Sequence, residues 1–302
     1  MIKKYKNWLE EEGKREKTIK TYINEIKIFF NWWVSSIGDK EEIIRATSID
    51  LNDYKQFLMT TTNNRGNKYS PATINKKIEV LRSFYTFLED EEVILNNPMN
   101  KVKPQKNQNR LLPPKWLERN ERNKLLRVVE NLNTWQGNEW RYKRNRAIIY
   151  TFLLSGLRLN ELVMLNMQDI DFNRGIIHVR EGKGGKYRRV ELAKDLGSVL
   201  NEWLKIRGEV LSSRIFTSQK GGGLTPQGIE HIFRRLRRDT EIADLTPHTL
   251  RHTFAKGLVN RGYSLTLIAD LLGHTDINTT RLYTKSGEQD RRNALDSIKI
   301  IL

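Results

Sequence analysis

The sequence predicts a mainly α-helical protein of two domains, with a small antiparallel β-sheet in the second domain. Three observations support this prediction. Apolar residues recur at helical spacing in the first hundred residues. A polar stretch rich in proline follows them, and a short region in which apolar and polar residues alternate comes later in the chain. With 302 residues the chain is long enough for two domains, which we place at residues 1–97 and 116–302, joined by a linker at 98–115.

Two apolar stripes define the main helices of the first domain. The first contains residues at three- and four-residue steps, namely Ile19, Tyr22, Ile23, Ile26, Phe29, Phe30 and Trp33. The second contains Ile74, Ile78, Leu81, Phe84, Tyr85 and Leu88. Ser70 and Pro71 precede the second stripe, which is typical of a helix N-cap followed by proline in the first turn. A shorter helix is predicted from Ile49 to Met59, and the aromatic residues are expected to form the core.

The linker is predicted from its prolines, because Pro98, Pro104, Pro113 and Pro114 cannot sustain a regular helix. It is also basic, carrying Lys101, Lys103, Lys106 and Arg110. An extended basic segment of this kind suits a phosphate backbone, and a solvated linker is the competing interpretation.

The second domain begins with helices predicted at 118–132 and 144–154. Short alternating segments at 170–172, 176–180 and 187–192 then predict a three-stranded antiparallel sheet. Helices follow, and the one predicted from Glu230 to Asp239 turns its apolar side inward. Its polar side carries four basic residues that suit phosphate contact or simple solvation, namely Arg234, Arg235, Arg237 and Arg238.

The charge of the chain points to a polyanionic partner. The net charge is +17, and residues 1–100 contribute almost nothing to it, with 16 basic against 15 acidic side chains. The chain has no cysteine, which excludes disulfides and thiolate zinc sites, and no apolar run approaches the length of a membrane span. The N-terminus lacks the apolar core of a secretory signal, so a cytoplasmic protein is expected.

Four motifs in the second domain contain residues suited to chemistry. Arg158 follows Gly156 at the end of an apolar helix, where a guanidinium is costly to bury without an anion, although a salt bridge to Glu161 would also explain it. Lys183 lies in a glycine-rich hairpin that can approach a phosphate or can be an ordinary turn. A Walker-type loop is excluded, because it requires serine or threonine after the lysine and then a helix.

The other two motifs contain histidines and a tyrosine. Pro247 can begin a helix that places His248, Arg251 and His252 on one face. A zinc site at the two histidines would need further ligands, which the neighbouring sequence does not offer. His274 and Tyr283 follow in the last motif, and each residue alone is more often structural than catalytic.

Taken together and in this order, these residues resemble the signature of the tyrosine recombinase (phage integrase) family. Gly156-Leu157-Arg158 with Glu161-Leu162 is similar to the family's first-arginine box, and Gly182-Lys183-Gly184 to its hairpin lysine. His248-x-x-Arg251-His252 resembles the second box, and Leu272-Gly273-His274 with Tyr283 resembles the third. Residues 116–302 carry this resemblance, and the first domain is similar in kind to the family's core DNA-binding domain. Asn160 stands where the family often has serine, at a position that is not catalytic.

The resemblance implies a role for each of six residues. Tyr283 attacks phosphorus and forms a 3′-phosphotyrosyl intermediate, while Arg158, Arg251 and His274 donate to the non-bridging oxygens. Lys183 protonates the departing 5′-oxygen, and His248 is our candidate to accept the tyrosine proton. Because the covalent linkage preserves the bond energy, rejoining is expected to need no ATP, metal or other cofactor.

The expected partner is double-stranded DNA with inverted-repeat sites, bound by four copies of the chain. The chain is expected to be a monomer off DNA, with an accessory protein as a further partner. Apolar residues after Arg292 predict a terminal helix that docks on a neighbouring protomer, or on its own domain. The length favours a Xer-like or transposon-resolving recombinase over an integrase with an arm-binding domain. The alternatives are a type IB topoisomerase, an arm-independent integrase of a mobile element and a non-enzymatic DNA-binding protein.

Overall fold

A computed structural model of the chain describes residues 1–63, 66–106, 114–180, 187–273, 280 and 283. It contains two compact units, Met1–Leu111 and Leu112–Leu302. It is mostly helical with a three-stranded antiparallel sheet, so the predicted fold class is confirmed. Among the helices described, none has both the length and the apolar character that a bilayer crossing requires.

The first unit is built from four helices around an aromatic core. The helices are α1 (Ile2–Glu11), α2 (Glu16–Ser36), α3 (Ser48–Thr60) and α4 (Pro71–Asp90). The hydroxyl of Ser70 accepts from the backbone N–H of Thr73, which confirms the predicted cap of α4. Phe29 is fully buried and meets Tyr54 edge to face at a centroid distance of 4.9 Å. The aromatic stripe is therefore core, as predicted.

The segment after α4 packs against the same helix. The guanidinium of Arg82 donates to the carbonyl oxygens of Met99 at 2.9 Å and of Val102 at 3.1 Å, and both of those side chains are buried. The three lysines of this segment are exposed, namely Lys101, Lys103 and Lys106. Arg110 lies outside the described residues. DNA contact by this basic segment stays a prediction.

In the described part of the second unit, three α-helices precede a small sheet in the sequence and four follow it. The helices are α5 (Arg119–Val129), α6 (Glu139–Ser155), α7 (Leu159–Met164), α8 (Lys194–Arg207), α9 (Pro226–Thr240), α10 (Pro247–Val259) and α11 (Leu265–Leu272). The strands are β1 (Ile170–Asp171), β2 (Ile176–Val179) and β3 (Arg188–Glu191), in the order β1-β2-β3.

Strand register and helix periodicity place the apolar side chains of this unit in one core. Ile177 of β2 lies opposite Val190 of β3, and both side chains are buried. The inward side of α9 is buried as predicted, at Ile229, Ile232, Phe233 and Leu236. The hairpin with Lys183, the position of His274 and the stretch after Arg292 lie outside the described residues.

Candidate active site

The site begins at the sharp turn between α6 and α7. Gly156 ends α6 with φ 61°, and a Cβ built there would lie 2.5 Å from the ring of Phe254, so glycine is required by both backbone and packing. Arg158 follows in extended conformation and is the N-cap of α7. The tight turn therefore brings the first arginine to the α10 side of the core.

Arg158 is held in place by a carboxylate and a carbonyl. Its Nη1 donates to Glu161 at 2.8 Å, and its Nη2 donates to the carbonyl oxygen of Gly273, also at 2.8 Å. The salt bridge that the sequence allowed is therefore present. The side chain of Arg158 remains 22% exposed, so an incoming anion can still reach it.

Arg251 is the buried cation of the site. The hydroxyl of Thr246 caps α10, and Pro247 occupies its first turn, which confirms the helix predicted to carry this residue. Arg251 is only 4% exposed, and its Nη1 and Nη2 donate to the carbonyl oxygens of Gly156 and Leu272, each at 2.6 Å. Burial, and then the charge of Arg158, lowers the pKa of Arg251 to about 9, so the guanidinium is still charged at neutral pH.

Tyr283 lies against α10 and is 1% exposed. Its hydroxyl is 2.6 Å from Nδ1 of His252, and its backbone carbonyl accepts from Nζ of Lys256 at 3.3 Å. Burial raises the pKa of Tyr283, while burial and then the neighbours His248 and Arg251 lower the pKa of His252 to about 4. At neutral pH the tyrosine is therefore protonated and shares a hydrogen bond with a neutral imidazole.

His252 is the contact of Tyr283 that sequence reasoning missed as a functional residue. The sequence places it on the shared face of α10 but makes His248 the predicted acceptor of the Tyr283 proton. The structure gives His248 an exposed side chain whose ring centroid is 6.4 Å from that of His252. Among the described residues no hydrogen bond joins His248 to Tyr283. The available signal was the spacing of the two histidines, one helical turn apart.

Comparison with known proteins identifies the family. Residues 115–290 match the model of the phage integrase family, and residues 1–95 match that of the phage integrase N-terminal SAM-like domain. The chain belongs to the phage integrase family of tyrosine recombinases. This confirms the resemblance drawn from the motifs and the division into a helical N-terminal domain and a catalytic domain.

Relatives within the family match over most of their length. The chain is 34% identical over 266 residues to the tyrosine recombinase XerC of Bacillus licheniformis, covering 83% of this chain and 84% of that protein. It is 31% identical over 282 residues to XerC of Anoxybacillus flavithermus, covering 91% and 88%.

Two solved structures of recombinases have similar folds. The XerH site-specific recombinase bound to a palindromic difH substrate matches with a TM-score of 0.74 and 25% identity, over 93% of this chain and 79% of that one. The Tn1549 transposon integrase in complex with transposon right end DNA matches with a TM-score of 0.73, over 97% of each chain, and its 20% identity shows the fold alone.

The arginines on α9 of this recombinase differ in what they contact. Arg237 donates to the carbonyl oxygen of Leu245 at 2.9 Å and to Glu230, while Arg238 donates to Asp239 at 2.9 Å. Arg235 is half-buried, and its Nε lies 3.5 Å from Oδ2 of the same aspartate. Arg234 is exposed and has no partner among the described residues. Phosphate contact by the four arginines stays a prediction, and the geometry favours Arg234.

Proposed function

We propose that this chain is a site-specific DNA recombinase that cleaves and rejoins strands through a 3′-phosphotyrosyl intermediate at Tyr283. The observation that carries the proposal is the position of the tyrosine hydroxyl. It is hydrogen-bonded to His252, which directly follows the buried Arg251 in the chain. A nucleophile next to a charged, buried guanidinium is the arrangement that attack on a phosphodiester requires.

The two arginines would stabilise the charge that develops on the non-bridging oxygens. Each guanidinium has donors left after its contacts with backbone carbonyls, and its planar fork matches two phosphate oxygens. Lys183 and His274 keep the roles that the family resemblance implies, as general acid and as a further donor. Both assignments rest on the motifs, because neither residue is among those described.

The two histidines of α10 would divide the work on the tyrosine proton. With a pKa of about 4, His252 is a weak base, and its hydrogen bond therefore orients the hydroxyl rather than ionising it. His248 stays our candidate to accept the proton once DNA is bound, because its ring is exposed and lies one helical turn from His252.

The proposal extends to assembly and cofactors. Four copies would act on two inverted-repeat sites, with the stretch after Arg292 docking on a neighbouring protomer and an accessory protein as a further partner. Because the phosphotyrosyl bond conserves the energy of the phosphodiester, rejoining would proceed without ATP or metal, on DNA in the cytoplasm. The biological outcome would be resolution or integration of a mobile element.

The deciding experiment traps the covalent intermediate. The protein is incubated with DNA of the source organism and quenched with detergent, and the DNA ends attached to protein are sequenced. We expect ends clustered at an inverted repeat, abolished by Tyr283→Phe and retained in Tyr263→Phe, which changes an exposed tyrosine between α10 and α11.

Other outcomes would contradict the proposal. Ends scattered over the DNA would indicate a topoisomerase, and an adduct that survives Tyr283→Phe would mean that another residue is the nucleophile. Cleavage that strictly requires magnesium in the chemical step would overturn the metal-free part of the mechanism.

A further inference from the structure

Three arginines converge on the C-terminal end of α11. Nε of Arg188 donates to the carbonyl oxygen of Leu271 at 3.3 Å, and Nη2 of Arg251 donates to that of Leu272 at 2.6 Å. Nη2 of Arg158 donates to that of Gly273 at 2.8 Å. The end of a helix carries partial negative charge on such unpaired carbonyls, so three cations stabilise it. Two of them belong to the family motifs, and Arg188 of β3 belongs to none of those that the sequence analysis singled out.

Arg188 also shares a buried carboxylate with Arg158. Its Nη1 and Nη2 donate to the two oxygens of Glu161, each at 2.8 Å, which is the parallel fork that arginine forms with carboxylates. The same oxygens accept Nη1 of Arg158 at 2.8 Å and its backbone N–H at 2.7 Å. Glu161 is only 2% exposed at its side chain, so no water can replace a lost partner without rearrangement.

The charge on Glu161 follows from these contacts. Burial alone would raise the pKa of this carboxyl, but the hydrogen bonds and charges of Arg188, and then those of Arg158, lower it to about 2. The group is therefore a carboxylate at neutral pH, held between two guanidinium groups. Replacing Arg188 removes two of the four hydrogen bonds to this buried carboxylate, and replacing Arg158 removes one, because its backbone N–H remains.

Gly273 shows how closely the end of α11 approaches Arg188. A Cβ at this residue would lie 2.9 Å from Cδ of Arg188 and 3.1 Å from its Nε, and the backbone φ is 63°. Only glycine allows both the left-handed turn and this approach. The next position in the chain is the predicted donor His274, so the stem of Arg188 supports the point from which that residue departs.

We propose that Arg188 is a positioning residue for DNA cleavage, which fixes the guanidinium of Arg158 through Glu161 and fixes the end of α11 through Leu271. The inference rests on the proposed function. Arg188 is 11% exposed, and each of its three guanidinium nitrogens donates to a protein group, so we expect it to act on Arg158 and not on the DNA itself. A lysine would keep the charge but would lose the fork that sets the direction of Glu161.

The neighbouring Arg189 provides a matched control. It lies on the same strand with the same charge, but its side chain is exposed, and its Nε donates to the hydroxyl of Tyr187 at 3.1 Å. Successive residues of a strand point to opposite faces. A change at Arg189 therefore removes a positive charge from β3 without disturbing Glu161.

The test compares two substrates that differ only at the scissile phosphate. Arg188→Lys, Arg188→Gln and Arg189→Gln are made in the full chain, and single-turnover adduct formation is followed on a duplex carrying the cleavage site recovered in the trapping experiment. The second duplex has a methylphosphonate at that phosphate, which is neutral and so makes less use of a positioned guanidinium. DNA binding and thermal unfolding are measured in parallel.

On the ordinary phosphodiester we expect both Arg188 variants to be roughly 100-fold slower than wild type, as expected for a displaced catalytic group. On the methylphosphonate the same variants should come within a few-fold of wild type, while Arg189→Gln stays within about twofold on both duplexes. The ratio of the two deficits is independent of the folded fraction, because unfolded protein lowers adduct formation on both duplexes alike.

Three results would overturn the inference. Wild-type rates in Arg188→Lys would show that the fork is not needed, and equal deficits on both duplexes would show a purely structural ion pair. If wild-type protein forms no adduct at Tyr283, the proposed function fails and the inference fails with it, which separates that case from a defect confined to the Arg188 variants.

Discussion

Lys77 and Arg251 are buried cations, one in each unit, and their surroundings differ. Lys77 in α4 of the first unit is 7% exposed and forms an ion pair with Glu25 of α2, with its Nζ also 5.0 Å from the centroid of the Tyr69 ring. Arg251 in the second unit is 4% exposed and donates to backbone carbonyls, and no carboxylate contacts it within the part of the chain that the structure describes. The first charge therefore has a carboxylate in direct contact, whereas the second, among the described residues, is contacted by neutral carbonyl groups.

The difference indicates that the fold keeps Arg251 buried at a cost to its own stability. A buried charge that is not paired costs several kcal/mol, and neutral carbonyls offset only part of that cost. The lowered pKa of Arg251 reflects this cost. A phosphate bound at Arg251 would place an anion in contact with this guanidinium and would offset part of that cost.

The largest expected effect comes from removing each buried cation in turn. Arg251→Met should lower the rate of covalent adduct formation by about 10³-fold, because the developing phosphate charge loses a preorganised donor. Lys77→Met should leave that rate unchanged but lower the free energy of unfolding by about 1–3 kcal/mol, because Glu25 loses its partner. Adduct formation and denaturant unfolding are measured on both variants.

The free energy of unfolding should rank the two variants in the opposite order, with the larger loss in Lys77→Met. Because Arg251 has no carboxylate in contact with it, Arg251→Met should cost less stability than Lys77→Met. A large loss of stability in Arg251→Met with little change in cleavage would contradict the comparison, since Arg251 would then serve the fold.

A smaller difference in cleavage rate is expected between variants of the two histidines of α10, His248 and His252. His248→Asn should slow cleavage by about 100-fold, as for loss of a proton acceptor. His252→Asn should slow it only about five- to tenfold, because one orienting hydrogen bond is lost. Single-turnover rates are compared with those of His231→Asn, which changes an exposed histidine on α9. Equal losses in the two α10 variants would mean that His252 does more than orient the hydroxyl.

The lowered pKa of His252 predicts that the free energy of unfolding depends on pH. The pKa of His252 is about 4 in the folded protein against an ordinary 6.5, so the unfolded chain binds more protons between these values. The free energy of unfolding should therefore decrease as the pH is lowered through this window. His252→Asn should flatten the decrease, and urea unfolding at a series of pH values measures it.

Local sequence patterns predicted the elements that carry the site. The Ser70-Pro71 start of α4, the strand pairing of β2 with β3 and the start of α10 at Pro247 were all found from spacing and capping. α1 was not predicted, although Ile2, Tyr5, Trp8 and Leu9 pack against the core. Five of its ten residues are charged, and an apolar stripe of only two turns is a weak periodic signal.

Contacts between distant residues could not be predicted in this way. His252 meets Tyr283, which is 31 positions along the chain, and Arg188 meets Glu161 across 27 positions. Periodicity reports which face of one element is buried but not which side chains of two elements meet. The family motifs include Arg158 and its direct partner Glu161, whereas Arg188, which also binds Glu161, lies outside them.

The smallest effect separates two arginines on one helix. Arg234 is exposed without a partner among the described residues, while Arg237 donates to Leu245 and Glu230. If Arg234 binds a phosphate, Arg234→Gln should reduce the slope of log affinity against log salt concentration by about 1. Arg237→Gln should leave that slope unchanged and lower the free energy of unfolding by about 1 kcal/mol. Fluorescence anisotropy over a salt series measures the slopes. A reduced slope in Arg237→Gln alone would reverse the assignment, because it would show that the internal contacts of Arg237 exchange for phosphate when DNA binds.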